Sequence, residues 1–286
     1  MRTDAKLPLL LFLPFGVLAL FYILLPLFSI LWKSFFDNGG AFIGMSNYGE
    51  IFSNPYYFMG IANSLKVSFF SALIGLILDF MGAYVIYNNE GVLKKVFLNV
   101  LNMTSNFQGI QLAFAFMIIL GNSGVLVLLG QALGWSFLAD FDLYGTNGLL
   151  LTFIHFQIPL GTLLLYPAFA MIQDEYKEAA QLLKTGTLRF WLYIGIPILS
   201  PVLFGTFSIL FANALAAYAT PYALLGNNYP LMPIQISSMF TGDIVQQPGT
   251  GSALSVIMIL IMLLVNGLGL LAGSNREGRE VREEKQ

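Results

Sequence analysis

The sequence predicts an all-α membrane protein with six transmembrane helices. Of its 286 residues, 57% are hydrophobic and only 10% are charged, and the mean hydropathy is +0.76. Soluble domains carry about 25% charged residues, so this composition disfavours a soluble enzyme or a nucleic-acid-binding protein. Uncharged stretches recur along the chain, and about 20 apolar residues in a helix suffice to cross a bilayer.

Six such stretches lie in a membrane domain that we place at residues 7–273. The predicted spans cover residues 7–32, 67–87, 96–120, 148–172, 195–225 and 252–272. Residues 1–6 and 274–286 are short polar tails. The first span has about 26 residues, which is too long for the apolar core of a signal peptide. We therefore expect it to remain in the protein as a membrane helix.

Basic residues indicate how the spans are oriented. Between these spans, 11 of the 13 Lys and Arg residues fall on one side, and only Lys33 and Lys66 fall on the other. Because basic residues concentrate on the cytoplasmic side of membrane proteins, both termini are predicted to be cytoplasmic. The eleven residues are Arg2, Lys6, Lys94, Lys95, Lys177, Lys184, Arg189, Arg276, Arg279, Arg282 and Lys285.

The cytoplasmic loop at residues 173–189, between spans four and five, has the pattern of a short amphipathic helix. Four of its residues follow the spacing i, i+3, i+4 and i+7 of one helix face: Tyr176, Ala179, Ala180 and Leu183. Gly186 suits a left-handed helix end, and Thr187 suits the cap of a following helix. The small residues allow close approach to a cytoplasmic partner. A connecting helix on the lipid surface is the alternative.

Several polar residues fall inside the predicted spans, where they should face protein or water rather than lipid. We consider six of them candidates for a substrate pathway: Asp79, Asn102, Asn106, Asn213, Tyr218 and Thr220. Hydrogen bonding or packing between helices is the alternative for each. The rings of Tyr218 and Tyr222 could also contact an ammonium group by a cation–π interaction.

The residue inventory argues against catalysis by this chain. It has no cysteine and one histidine, so no disulfide or thiolate metal site can form and little remains for a catalytic triad. It also lacks the G-x-x-x-x-G-K-[ST] loop that binds nucleotide phosphates. We expect no catalytic residues, no metal site and no cofactor in this chain, and an energy source on another chain.

The loop between spans four and five resembles the EAA loop of ATP-binding-cassette (ABC) importer permeases. Glu178-Ala179-Ala180 is followed by Gly186, and the segment closes with Ile194, Ile196 and Pro197. The family's usual Gly, four residues after the second Ala, is Lys184 here, so we expect the turn to be displaced to Gly186. The six-span layout also resembles the membrane domain of type I importers.

Other segments resemble the spermidine/putrescine-type permeases within that class. They are Phe211–Thr220, Pro233–Ile236, Gly242-Asp243 and Gly251–Leu254. The resemblance implies that the chain imports a polyamine. It places the chain in a bacterial inner (cell) membrane as a multi-pass protein. Phosphonate or another small organic ion is the alternative substrate.

The resemblance also implies the partners. The EAA loop would be a coupling helix docked on an ABC ATPase subunit, which exists as a dimer and holds ATP and Mg²⁺. Glu178 would pair with a basic residue there, Ala179 and Ala180 would allow close approach, and Tyr176 and Leu183 would pack into a groove. A second permease subunit, in a heterodimer rather than a homodimer, and an extracytoplasmic substrate-binding protein would complete the importer. We expect contacts with membrane lipid and none with nucleic acid.

Two other functional classes remain open from the sequence. An ion-coupled secondary carrier could use Asp79 and His155, although no inverted repeat is detectable. An intramembrane enzyme would need a nucleophile with a base, or a metal cluster, within the spans. The first predicts uptake that collapses with the proton gradient, and the second predicts a chemical conversion that depends on Asp79 or His155.

Overall fold

A computed structural model describes residues 14–241 and 246–283, with side chains as far as residue 271. Residues 1–6, the first part of span one, Gly242-Asp243 and the last three residues of the C-terminal tail lie outside the described residues. In the described part, six helices are long and apolar enough to cross a membrane.

The helices follow one another along the chain with short connections. Their bounds are α1 Pro14–Lys33, α2 Ser46–Ser53, α3 Pro55–Asn88, α4 Val92–Ser105, α5 Ile110–Leu120, α6 Val125–Leu133, α7 Ser136–Ala139, α8 Thr146–Leu165, α9 Asp174–Leu182, α10 Thr187–Ala216, α11 Ala219–Leu225, α12 Met232–Thr241 and α13 Pro248–Glu283. A 3₁₀ segment, Tyr166–Met171, extends α8. Spans one, two, four, five and six correspond to α1, α3, α8, α10 and α13.

Span three differs from the predicted segment. Residues 96–105 belong to the separate helix α4, and the membrane-length segment is Ile110–Leu133, formed by α5 and α6. Gly109 separates the two parts because it adopts a positive φ of 73°, which glycine tolerates and other residues rarely do. The predicted fifth span is also divided, because Ala217 is extended between α10 and α11.

The chain divides into two compact units, and the first comprises residues 1–61 and 230–260. Inside it, the buried side chain of Asn47 donates to the backbone oxygens of Ser34 (2.9 Å) and Phe36 (2.8 Å). Gln235, from the polyamine-type motif, is fully buried and donates to the backbone oxygen of Tyr56. A Cβ at Gly60 would collide with the Gln235 side chain, so Gln235 acts here as a packing residue.

The second unit comprises residues 62–229 and 261–286 and holds the predicted coupling loop and all six candidate pathway residues. Its core at the loop end joins α3, α8, α9 and α10. The buried members are Ala83, Leu165, Phe169, Ile172, Ala180, Phe190 and Leu199. This core fixes the short helix α9 against the ends of three membrane-length helices.

Candidate functional site

The helix α9 is attached to the membrane helices through Ala180. This residue is 6% exposed and packs in the core that contains Phe169 and Phe190. Only a small side chain lets the helix backbone come this close to the aromatic rings. The prediction for Ala180 therefore needs correction, because its side chain contacts this chain and is not available to a partner.

The opposite face of α9 is exposed. Glu178 and Leu182 lie roughly 160° around the helix from Ala180, and Leu182 is 85% exposed. Of the other predicted coupling residues, Ala179 is exposed, Tyr176 is 43% exposed and Leu183 is 79% exposed. A partner could therefore reach all of the predicted coupling residues on this helix except Ala180.

The N-terminal half of α9 is held by an ion pair and an aromatic contact. The Nζ atom of Lys177 lies 2.9 Å from Oδ1 of Asp174 and 5.2 Å from the ring centre of Tyr87. The hydrogen bond with Asp174 is the main cause that raises the pKa of Lys177 above its ordinary value. The ammonium group therefore stays charged at neutral pH and ties α9 to the end of α3.

The prediction that Gly186 adopts the left-handed conformation is wrong. Lys184 has the positive φ, 51°, whereas Gly186 has a φ of −67° and precedes the helix that begins at Thr187. The N–H of Thr185 donates to the oxygen of Ala180, and the N–H of Lys184 donates to the oxygen of Gln181. This hydrogen-bond pair is the Schellman helix end. The turn therefore occurs at Lys184, where importer permeases usually have Gly, and is not displaced.

The rings beneath α9 form an aromatic cluster: Phe80, Tyr84, Tyr87, Phe169, Phe190 and Trp191. Ring centres of Phe169 lie 5.3 Å from Phe80 and 5.9 Å from Trp191. The Trp191 ring lies over Gly195, where a Cβ would collide with it. A π-helical turn at Trp191–Gly195 places this ring against the cluster. Motion of α9 should therefore be transmitted directly to α3, α8 and α10.

A second feature of this unit is a polar pocket of 370 Å³. Its lining comes from three separate segments of the chain: Gln108, Gly109, Phe156, Asn213, Ala216, Ala217, Tyr218, Ala219 and Thr220. Three predicted pathway residues, Asn213, Tyr218 and Thr220, are therefore brought together. None of these lining residues is charged, so this chain offers a solute amides, hydroxyls and aromatic faces.

The pocket forms where two helical segments are interrupted. One interruption lies at residues 106–109, before α5, and the other lies at residues 217–218, between α10 and α11. The hydroxyl of Thr220 donates to the oxygen of Gly109 at 3.1 Å and joins them. Non-helical backbone at membrane depth occurs where it is buried in protein or lines a cavity. Interrupted helices are also a common way to build solute sites in transporters.

Hydrogen bonds behind the pocket orient its amide groups. Nε2 of the buried Gln157 donates to the oxygen of Leu210 at 2.7 Å, and its Oε1 accepts from Nδ2 of Asn213 at 3.4 Å. Next to them, the rings of Tyr218 and Tyr222 are stacked with centres 5.0 Å apart. Gln157 fixes the direction of Asn213, a role that the sequence alone did not reveal.

The predicted pathway residues Asn102 and Asn106 do not line this pocket. Both are exposed on or just after α4, where Asn102 donates to the oxygen of Leu98 and Asn106 donates to the oxygen of Asn102. Their side-chain amides therefore donate to backbone oxygens of the preceding helical turn. The neighbouring residue Gln108, two positions beyond Asn106, is the one that reaches the pocket.

Asp79 also lies away from the pocket. It is fully buried, Oδ1 accepts from the hydroxyl of Thr162 at 3.2 Å, and a Cβ at Gly161 would collide with its carboxyl group. Its position is a close contact between α3 and α8. His155 instead packs its ring against Phe116. The described contacts therefore do not join Asp79 and His155 in one site.

Comparisons with known proteins agree with the importer resemblance at the level of the class. No family model matches the chain. It is 26% identical over 259 residues to the ferric transport system permease protein FbpB of Actinobacillus pleuropneumoniae, which covers 87% of this chain and 36% of that protein. The chain thus spans well under half the length of such ferric relatives. It is 23% identical over 280 residues to the arabinooligosaccharides permease AraP of Bacillus subtilis, covering 91% and 87%.

Solved structures show the fold. A bacterial ABC transporter involved in the import of the acidic polysaccharide alginate matches with a TM-score of 0.72 at 16% identity, covering 92% of this chain and 95% of that chain. The MetNI methionine ABC transporter matches with a TM-score of 0.56 at 15% identity, covering 78% and 94%. The chain therefore has the fold of ABC importer membrane subunits, as predicted. None of the relatives named here is described as a polyamine permease.

Proposed function

We propose that the chain is the permease subunit of an ABC importer, driven by ATP hydrolysis on a separate subunit. The observation that carries this proposal is the position of α9. One face is anchored through Ala180 in a core shared by three membrane-length helices, and the opposite face, with Glu178 and Leu182, is uncovered. Such a helix can receive movement from a cytoplasmic partner and pass it to the membrane helices.

The partner set follows from the same proposal. An ABC ATPase dimer would hold ATP and Mg²⁺ and dock on α9, since the sequence contains no phosphate-binding loop. A second permease subunit would provide the facing side of the pocket at Asn213 and Thr220. A substrate-binding protein would deliver the solute from outside. The proposed location is the inner membrane of a bacterium.

The experiment is co-purification of the tagged chain from its native host, comparing wild type with Glu178→Lys. We expect an ATPase and a second permease with wild type, and loss of the ATPase with Glu178→Lys, because reversing an exposed charge at the docking face repels the partner. Glu90→Lys is the matched control, since Glu90 is also exposed but lies between α3 and α4. If the wild-type chain purifies without any ATPase, the proposal is contradicted and gradient-driven transport is favoured.

The finer proposal is that the solute is a polyamine such as spermidine or putrescine. It rests on the sequence resemblance and on the stacked rings of Tyr218 and Tyr222, whose faces suit an ammonium group. The reconstituted importer should take up labelled putrescine, and unlabelled spermidine should compete. Uptake of a sugar, a phosphonate or another anion in place of putrescine, with no competition by spermidine, would contradict the polyamine proposal while leaving the importer class intact.

A further inference from the structure

We propose that Lys184 presents its ammonium group to an acidic group of the ATPase subunit, beside an apolar pocket that accepts Leu182 and Leu183. This inference rests on the proposed function, because it names a contact within the same docking surface. We call Leu182, Leu183, Lys184 and Leu188 the docking tip. Four observations about these residues support the proposal.

The backbone at Lys184 is unfavourable for a lysine. Among the described residues, it is the only one other than glycine with a positive φ. In this region the Cβ of an L-residue crowds the backbone, whereas glycine adopts it without cost. Glycine would therefore stabilise this helix end more than lysine does. The local fold gives no reason for lysine at this position.

The side chain of Lys184 adds nothing to the turn either. The two hydrogen bonds of the helix end use only backbone groups of Ala180, Gln181, Lys184 and Thr185. The side chain is exposed, and within the described residues it has no recorded hydrogen bond or ion pair. By contrast, Lys177 on the same helix is paired with Asp174. The ammonium group of Lys184 is therefore available to another molecule.

The residues around Lys184 form an apolar surface outside the membrane-length helices or at their ends. Leu182 is 85% exposed, Leu183 is 79% exposed and Leu188 is 74% exposed. Leucine side chains left in water forfeit the free energy of burial, so adjacent exposed leucines indicate a surface that a partner covers. Lys184 directly follows Leu182 and Leu183 in the chain and precedes Leu188.

The charge pattern favours a protein partner over a membrane surface. Glu175, Glu178 and Leu182 follow the spacing i, i+3 and i+7, so the two acids share a face with the exposed leucine. The cytoplasmic leaflet is negatively charged and repels acidic side chains. A protein can instead offer a basic group opposite Glu178 and an acidic group opposite Lys184, which fixes the register of docking.

The test measures the affinity of the co-purifying ATPase for the permease complex in lipid nanodiscs. Lys184→Asn removes the charge but tolerates the left-handed conformation. Lys184→Gly removes both the charge and the backbone strain, and Lys184→Arg keeps the charge. Lys95→Asn is the matched control, because Lys95 is also exposed but lies on α4. Affinities are measured at low and high salt, and the Tm of each permease variant is recorded without the ATPase.

We expect Lys184→Asn and Lys184→Gly to weaken ATPase binding about tenfold at low salt and to reduce its salt dependence. Lys184→Arg should stay within about twofold of wild type, as should Lys95→Asn. The Tm of Lys184→Gly should equal or exceed that of wild type, which separates lost contact from lost folding.

Binding by Lys184→Gly as tight as wild type would overturn this inference but not the proposed function. Loss of binding in Lys184→Arg, or a lower Tm in Lys184→Gly, would also overturn it. So would a loss that disappears in uncharged lipid, since that result assigns Lys184 to anionic lipid headgroups. Failure of wild type to bind any ATPase would instead remove the proposed function itself.

Discussion

The helix α9, for which we propose a coupling role, and the polar pocket lie in the same compact unit but are built in opposite ways. The helix comes from one continuous stretch, rests on the aromatic cluster and carries charged residues on its free face. The pocket draws on three segments, depends on hydrogen bonds at interrupted helices and has no charged lining residue. The first region suits rigid transmission of movement, and the second suits a change of shape around a neutral lining.

One helix connects the two regions. The N-terminal part of α10 packs beneath α9 through Phe190, and its C-terminal part lines the pocket at Asn213 and Ala216. Its 30 residues span roughly 45 Å at 1.5 Å per residue. We therefore expect movement at the coupling end to reach the pocket as displacement of a helix that ends at the break beside Ala217.

The largest expected effect comes from a substitution in the aromatic cluster beneath α9. Phe169→Ala removes a fully buried ring from the centre of the aromatic cluster and should cost about 3–5 kcal/mol of stability. Because α9 loses the side chain on which it packs, the amount of co-purifying ATPase should fall more than the amount of folded permease. Thermal unfolding and the ATPase-to-permease ratio measure the two quantities separately.

The control for this prediction is Phe153→Ala on α8, the helix that the 3₁₀ segment with Phe169 extends. Phe153 is 2% exposed and packs on Phe156, which lines the pocket. It should lower stability by a similar amount while the ATPase ratio of the folded fraction stays at the wild-type value. Equal loss of ATPase from both variants would show that the two regions are not independent. If either variant fails to fold, the corresponding Phe→Leu pair serves the same comparison.

An intermediate effect is expected from a test of whether Asp79 is a packing residue or a pathway residue. Gly161→Ala places a methyl group against the Asp79 carboxyl group and should destabilise the protein by about 1–3 kcal/mol through overpacking. Adding Asp79→Ala should recover most of that loss, because the smaller side chain makes room. Gly205→Ala, in open surroundings on α10, should leave the Tm unchanged.

Uptake by the recovered double variant distinguishes the two interpretations of Asp79. A packing residue can be replaced without loss of transport, so uptake should return together with stability. A stable double variant that no longer transports would show that the carboxyl group acts in the pathway or in ion coupling. It would also return the secondary-carrier hypothesis to consideration.

The sequence predicted these regions unequally, and the reason is physical. The periodicity that marks α9 is local, so neighbouring residues alone revealed it. The sequence did not reveal the turn at Lys184, because glycine normally occupies left-handed positions and Gly186 is the first glycine after α9. The alanines around residue 217 favour a helix, but Pro221 cannot donate to the Ala217 oxygen, and its ring would clash with that carbonyl in a continuous helix. Pro221 is therefore a local signal for the break, and the hydrogen bond from Thr220 to Gly109 stabilises it.

A different limit explains Asn102 and Asn106. These residues share a helix face only while the helix continues, and the helix stops before Gly109. Gln157 was difficult to assign for another reason, because its partners Leu210 and Asn213 are more than 50 residues away.

The smallest expected effect tests the pocket without disturbing the coupling end. Thr220→Val keeps the shape of a side chain that is 4% exposed but removes its hydrogen bond to the oxygen of Gly109. The stability loss should be about 1 kcal/mol, because that oxygen still accepts from the N–H of Ala113. The two interruptions become less firmly joined, so the KM for uptake should rise several-fold while ATPase binding stays unchanged.

Thr152→Val is the matched control for Thr220→Val. Thr152 is fully buried in α8, and its hydroxyl donates to Gly148 within the same helix at 2.8 Å. It removes an equivalent hydrogen bond without separating two segments, so uptake should keep the wild-type KM. A raised KM in both variants would mean that stability alone controls uptake. A raised KM in Thr220→Val only, with full ATPase binding, would locate solute handling at the interrupted helices and force transmission at α9.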